Sequence, residues 1–166
     1  MRIGHGYDVH RFAEPDGESK MIALGGVEVP SDRAIIAHSD GDVMIHALCD
    51  ALLGAAGIGD IGHHFPDTDP AYKGISSRKL LTAVIEKIAD NGYILGNADL
   101  TLVAEKPKVA RYIESMRQQL AADMGTEITQ INVKATTTEG LGFEGHGEGI
   151  AAHAVVLLLP DQEKPI

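Results

Sequence analysis

The stretch "RIGHGYDVHRF", residues 2–12, decides how the rest of the chain is read. Side chains alternate across a β-strand. As a strand, this segment turns Ile3, Tyr7 and Val9 to one face and Asp8 and His10 to the other. It therefore carries an apolar face, and behind it a carboxylate beside an imidazole.

Outward from that strand, "EPDGESK" is a turn, and "MIALGGVEVP" is expected as the returning strand, bent at Gly25-Gly26. "HSDGDVMIHALCDALLGAAG", residues 38–57, starts a helix. Ser39 or Asp40 can cap it, Val43, Ala47, Leu48, Ala51 and Leu52 recur at helical spacing, and Gly57 ends it. "IGDIGHHFPDTDPAYKG" follows without period, and loops of that length in a compact domain are usually functional. "SSRKLLTAVIEKIADNG" is a second amphipathic helix, closed by Asn91-Gly92. "ADLTLVAEKP" is a strand, residues 109–124 form a third helix, and "INVKATTTEG" and "GIAAHAVVLLLP" are the last two strands. The expected fold is α+β: a mixed four-stranded sheet with helices packed on one face, plus a β-hairpin, in one domain over residues 1–166.

A chain of 166 residues can bury a real core. No run of about 18 apolar residues is present to span a membrane, and the first residues lack a secretory signal pattern. Cys49 is alone, which precludes an internal disulfide and fits a reducing cytoplasm. The balance of 14 basic and 24 acidic residues gives −10, a poor match to nucleic acid. An acidic chain that handles an anionic substrate needs local help: metal ions, helix N-termini or a few placed Lys and Arg.

Three clusters of residues could carry chemistry. Asp42 and His46 stack on one face of the first helix. If that helix packs beside the first strand, Asp8, His10 and His46 converge as one carboxylate and two imidazoles, a set suited to zinc with an open fourth position. The same D-x-H pair could equally be a solvated polar face, and His46 a core histidine bonded to a carbonyl. Next, "HSDG", residues 38–41, lies where free amides and the helix dipole favour phosphate, with His38 and Ser39 as added donors; the alternative is a plain capped helix. Last, "ATTTEG", residues 135–140, offers three hydroxyls and, in Glu139, a carboxylate for a hard ion such as Mg²⁺, or is simply a polar strand end. Asp42 is expected to orient a ligand imidazole from behind. His63 and His64 read as solvated, and His5 and His153 as structural.

Together, "GYDVHRF", "AHSDGDVMIHALCDALLGAAG", "GDIGHHFPDTDP", "YKGISSRKLL" and "VKATTTEGLGFEGHGEGIA" resemble the 2-C-methyl-D-erythritol 2,4-cyclodiphosphate synthase family, from residue 2 to about 158. The resemblance implies a homotrimer whose sheets face a central axis, with active sites at subunit interfaces. It implies a nucleotide-linked substrate, 4-diphosphocytidyl-2-C-methyl-D-erythritol 2-phosphate, cyclised with loss of CMP. By motif match, Zn²⁺ falls to Asp8, His10 and His46, and Mg²⁺ or Mn²⁺ to Glu139. His38 and Thr137 are the transition-state stabilisers, and Ser39 holds phosphate. Asp60, Ile61 and Gly62 take the erythritol part, and Phe65, Pro66, Asp67, Thr68 and Asp69 form the mobile substrate loop. Ala104, Glu105, Lys106, Pro107, Lys108, Val109 and Ala110 form the cytidine-side segment, supplied across the interface. Thr136 joins Thr137 on the nucleotide phosphates, and Val9, Thr138, Phe143 and His146 complete the binding set. Where the family commonly has Arg near the trimer axis, this chain has His146, and a neutral imidazole holds an isoprenoid diphosphate less well. Two other readings of the same residues are a zinc-dependent phosphoester hydrolase, which would need a general base beside metal-bound water, and a binding module without activity.

Overall fold

The computed structural model describes residues 1–66 and 68–161. A five-stranded mixed sheet is built from β1 (Arg2–Phe12), β4 (Ile35–Ile36), β5 (Tyr93–Val103), β6 (Ile131–Thr136) and β7 (Gly149–Pro160), in the spatial order β4-β1-β7-β5-β6. β7 runs antiparallel to both β1 and β5, and β6 lies parallel to β5. β1, β5 and β6 therefore point the same way and end at one edge of the sheet. The α+β class and the hairpin are as expected, but the sheet has five strands. The fifth, β4, is two residues long and pairs with the end of β1, too short for any periodic signal.

β2 (Lys20–Leu24) and β3 (Val27–Ser31) pair only with each other, across Gly25-Gly26. The segment thus forms a hairpin and not a single strand returning along β1. Gly25 and Gly26 both have positive φ, which lets two residues reverse the chain at that point.

α1 (Val43–Ala56) is the centre of the molecule. Eleven of its fourteen residues are buried, as befits a helix apolar on all sides. It lies against β1 and β7, and small residues set how closely. A Cβ on Gly4 would fall 1.9 Å from the Ala51 carbonyl oxygen, and one on Gly6 would fall 1.9 Å from that of Ala47. Ala152 and Ala154 of β7 are buried beneath the same helix layer. The helix-facing side of β1 therefore reads Gly4, Gly6, Asp8, His10: two gaps that admit the helix, then two polar side chains.

α3 (Ser77–Asp90) buries Leu80, Leu81, Val84 and Ile88. α4 (Ile113–Met124) buries Met116, Leu120 and Met124 and ends at Gly125 in the left-handed region; the expected helix over 109–124 begins instead with a 3-10 turn at Ala110–Tyr112. Two short helices, α2 (Ile61–His64) and α5 (Gly142–Gly145), sit in connections. The helices cover one face of the sheet. The other face presents Ile3, Tyr7, Val9 and Val155 to solvent, Ile3 at 72% exposure.

Candidate metal centre

His46 occupies the first full turn of α1, and the glycine contacts hold that turn against the end of β1. The consequence is a triangle of ligand atoms. His10 Nε2 lies 3.1 Å from His46 Nδ1, His46 Nδ1 lies 3.1 Å from Asp8 Oδ2, and His10 Nε2 lies 3.2 Å from the same oxygen. Three atoms at the corners of such a triangle cannot each make a linear hydrogen bond to both others. Zinc–nitrogen and zinc–oxygen bonds of about 2.0–2.1 Å place tetrahedral ligands roughly 3.3 Å apart. Among the described residues this is the one cluster of three or more His, Cys, Asp or Glu side chains able to hold an ion, and its donor set fits a borderline metal with one position open.

Electrostatics separate the two imidazoles. Burial is the largest influence on both and disfavours the charged form. At His10 it prevails, assisted by His46 and opposed by Asp8 and Asp40, and the pKa is lowered. At His46 the hydrogen bond to Asp8 and the charges of Asp8, Asp42 and Asp40 overcome burial, and the pKa is raised.

Asp42 departs from expectation. It is fully buried and accepts from the amides of Met44 and Ile45, which makes it the cap of α1 in place of Ser39 or Asp40. It also accepts from Gly25 (2.9 Å) and Gly26 (2.7 Å), tying the β2–β3 turn to the helix start. All four of these amides share its two oxygens, and what it contributes at His46 is its charge. The groups behind His46 are instead Ser77 Oγ, 2.8 Å from Nε2, and Ser39 Oγ, 3.2 Å away. Nothing local in the sequence marks Ser77, because the contact spans 31 positions.

A cavity of about 180 Å³ opens beside the triangle, lined by His10, His38, Ser39, His46, Gly62 and Phe65 among others. It gathers His38 and Ser39, expected on phosphate, and Gly62, expected on the erythritol part, beside His10 and His46, whereas Asp60 is not in its lining. Ile61 lines it too, and the Ile61 amide is held by Asp50 (2.8 Å), one helical turn after His46. Asp60 caps α2 by accepting from His63 N (2.8 Å). Phe65 packs edge-on against Tyr72 at 5.5 Å between centroids. Pro66, Thr68 and Asp69 are exposed around a turn closed by Asp69 N to Pro66 O, and Asp67 lies outside the described residues. His63 is exposed as expected, whereas His64 is half-buried with Nε2 2.8 Å from the Ile58 carbonyl. Val9 faces the open side of the sheet, away from the cavity. On that side His5 Nε2 and His153 Nδ1 are 3.2 Å apart, with the Tyr7 ring tilted against His153 at 4.8 Å between centroids.

Several of the remaining expected residues gather around a second cavity. Ala104, Pro107, Lys108, Val109, Ala110, Thr136 and Thr137 line a cavity of about 270 Å³ that shares no residue with the first. Ala104 N donates to Thr136 O, and Glu105 accepts from the amides of Thr138 and Gly140 (both 3.2 Å), which shapes the turn that carries Glu139. Glu139 is exposed with φ 56°. Lys106, Phe143 and His146 lie near the start of β7: Lys106 and His146 line a small cleft with Arg33, and Phe143 abuts Gly149. Both sites lie at the same edge of the sheet. Val9 pairs with Ala151, Ala151 with Val103, and Val103 with Thr136, so three strand spacings of about 4.8 Å put the β1 backbone between Asp8 and His10 roughly 14 Å from the β6 backbone at Thr136. One chain does not bring His46 and Thr137 onto the same phosphate.

Residues 1–159 match the YgbB family. The 2-C-methyl-D-erythritol 2,4-cyclodiphosphate synthases of Pseudomonas aeruginosa (strain UCBPP-PA14) and Ectopseudomonas mendocina (strain ymp) are 60% and 59% identical over 159 residues. Each alignment covers 96% of this chain and 99% of the relative. Among solved structures, Plasmodium falciparum IspF in complex with CDP superposes with a TM-score of 0.84 at 34% identity over 97% of each chain. The bifunctional IspDF of Campylobacter jejuni gives 0.91 at 41% identity, with 98% of this chain lying on 43% of that one.

Proposed function

This chain belongs to the YgbB family, and from that premise we propose how it works as a 2-C-methyl-D-erythritol 2,4-cyclodiphosphate synthase, a phosphorus–oxygen lyase of the non-mevalonate isoprenoid route. The carrying observation is the joint one: near-complete alignment with enzymes of that name at about 60% identity, and a metal-ligand triangle beside a cavity that gathers His38 and Ser39.

The substrate is 4-diphosphocytidyl-2-C-methyl-D-erythritol 2-phosphate. An oxygen of its 2-phosphate forms a bond to the β-phosphorus. The bond from that phosphorus to the bridging oxygen breaks, and CMP departs with the electron pair. The nucleophile is already anionic near neutral pH, so the protein must position and neutralise and has little covalent work to do. His38 and Ser39 stand at the cavity mouth to bind phosphate oxygens, and Gly62, Ile61 and Phe65 enclose the sugar-derived part and exclude water. Thr136 and Thr137 hold the nucleotide phosphates, with His38 and Thr137 donating to charge that develops on the transferring group. Zn²⁺ held by Asp8, His10 and His46, with Mg²⁺ or Mn²⁺ on Glu139, supplies Lewis-acid neutralisation of the diphosphate when bound.

The 14 Å between the two half-sites is the reason to assign them to different subunits. A homotrimer that buries the open sheet faces against one another would cover Ile3, Tyr7, Val9 and Val155, an apolar patch of the kind that marks an interaction surface, and would bring Thr137 of one subunit to His46 of the next. Residues 1–161 act as one domain in this reading, and the buried, unpaired Cys49 fits a cytoplasmic location.

Phosphorus NMR of the products formed from the cytidine-linked substrate with Mg²⁺ tests the reaction. Cyclic diphosphate with one CMP per turnover, abolished by His46→Ala, is expected; linear phosphates would indicate a hydrolase instead. Light scattering should give three times the 17.6 kDa chain mass.

A further inference from the structure

The structure assigns Ser77 and Asp40 a positioning role: they form a directional hydrogen-bond relay that fixes the His46 imidazole so that its Nδ1 lone pair faces the metal position. The inference rests on the reading of Asp8, His10 and His46 as a metal site, and names which groups behind that site make it work.

His46 Nε2 lies 2.8 Å from Ser77 Oγ, and Ser77 Oγ donates to Asp40 Oδ1. The second Asp40 oxygen accepts from Ser77 N at 2.8 Å. A carboxylate only accepts, so the serine proton is committed to Asp40. That leaves Ser77 Oγ with lone pairs alone to offer His46, and Nε2 must then carry the imidazole proton. Nδ1, at the triangle, is left as the free lone pair. A metal-bound His commonly donates its other N–H in this way, and such partners tune affinity by about 10- to 100-fold.

Two further observations distinguish Ser77 from its neighbour. Ser77 is wholly buried, so water cannot replace it. Ser39 Oγ is farther from Nε2, at 3.2 Å, and already accepts from Gly41 N at 3.1 Å, which leaves it available for substrate. The relay is also braced. Gly74 N donates to His38 O, and Asp40 N donates to Ile75 O, so the segment bearing His38 and Ser39 is zipped to the start of α3. One carboxylate therefore orients a metal ligand and anchors the end of the 58–76 connection.

The test uses full-length protein and zinc alone. Zinc affinity is measured by competition with a chromophoric chelator, and the ligand field by the visible spectrum of the cobalt-substituted protein. Ser77→Ala should weaken zinc 10- to 100-fold and alter the cobalt spectrum, Asp40→Asn should weaken it less, and Ser77→Thr, which keeps the hydroxyl, should restore affinity to within about 3-fold. Ser39→Ala should leave zinc affinity in place. If Ser77→Ala unfolds, Asp40→Asn and Ser77→Thr decide the matter by the same readouts. Unchanged zinc affinity and cobalt spectrum in Ser77→Ala, or in Asp40→Asn where Ser77→Ala does not fold, overturn the relay, as does equal weakening by Ser39→Ala. His46→Ala binding zinc like wild type would overturn the metal site itself, and thereby separates the two failures.

Discussion

Replacing Gly6 with Ala should damage the metal centre from a distance, through the helix and not through a ligand. The added Cβ would stand 1.9 Å from the Ala47 carbonyl oxygen and 2.7 Å from Ala51 N. Carbon and carbonyl oxygen settle at about 3.3 Å or more, so α1 must retreat from β1 by roughly 1.4 Å at that turn. His46 immediately precedes Ala47, and its Nδ1 is held 3.1 Å from both partner atoms. Metal–ligand distances tolerate about 0.2 Å, so the triangle opens by several times its tolerance. Zinc affinity should fall by about 100-fold or more, near 2.7 kcal/mol. Overpacking against backbone should cost about 3 kcal/mol of zinc-free stability, the upper end of the usual range, because neither side is a flexible side chain. Chelator competition gives the first quantity and urea unfolding without metal gives the second. Gly54→Ala is the control on the same helix: a Cβ there meets nothing within 4 Å, and it should stabilise by about 0.5–1 kcal/mol. A Gly6→Ala protein with zinc affinity within about 3-fold of wild type and stability within about 0.5 kcal/mol would refute the claim that glycine gaps in β1 set the position of His46.

Asp42→Ala should destabilise by about 3–5 kcal/mol, since it strips a helix cap and leaves the buried amides of Gly25, Gly26, Met44 and Ile45 without their acceptor; Asp42→Asn should change zinc affinity far less than Ser77→Ala does, and titration of both variants side by side checks the order. Stripping zinc with a chelator should lower the melting temperature by about 8–16 °C relative to protein in 1,000-fold excess of zinc over its dissociation constant, from about 4 kcal/mol of linkage, and His46→Ala should melt at the same temperature with or without the chelator. Burial, reinforced by the charges of Asp50 and Asp42, pushes the Cys49 thiol up. Thiolate is therefore suppressed in the folded protein, and an aromatic disulfide reagent at pH 8 should react with Cys49 only at the rate of unfolding.

Much of this arrangement was already legible along the chain. Period-two alternation in residues 2–12 suffices to put Asp8 and His10 on one face, because strand geometry leaves a side chain only two directions. Helical spacing suffices to place His46 near the start of an apolar helix, and the motifs "HSDGDV", "FPDTDP" and "KATTTE" suffice for the family. Local rules were weaker wherever several residues could do the same job. Ser39, Asp40 and Asp42 can all cap a helix, and the choice of Asp42 follows from Gly25 and Gly26, 16–17 positions away, offering it two more amides. β4 is too short to announce itself, and "MIALGGVEVP" reads as one bent strand until the sheet shows that β1 is already flanked by β7 and β4. The relay from His46 through Ser77 to Asp40 joins positions 31 and 37 residues apart, and the two half-sites, each readable as a motif, stand three strands apart in one chain. The sequence by itself determined which side chains are candidates for the chemistry and which face of each element they occupy, since both depend on residue type and backbone period. Only the tertiary structure decided the distances between them, since those depend on how closely Gly4 and Gly6 let α1 approach β1 and on which strand lies beside which.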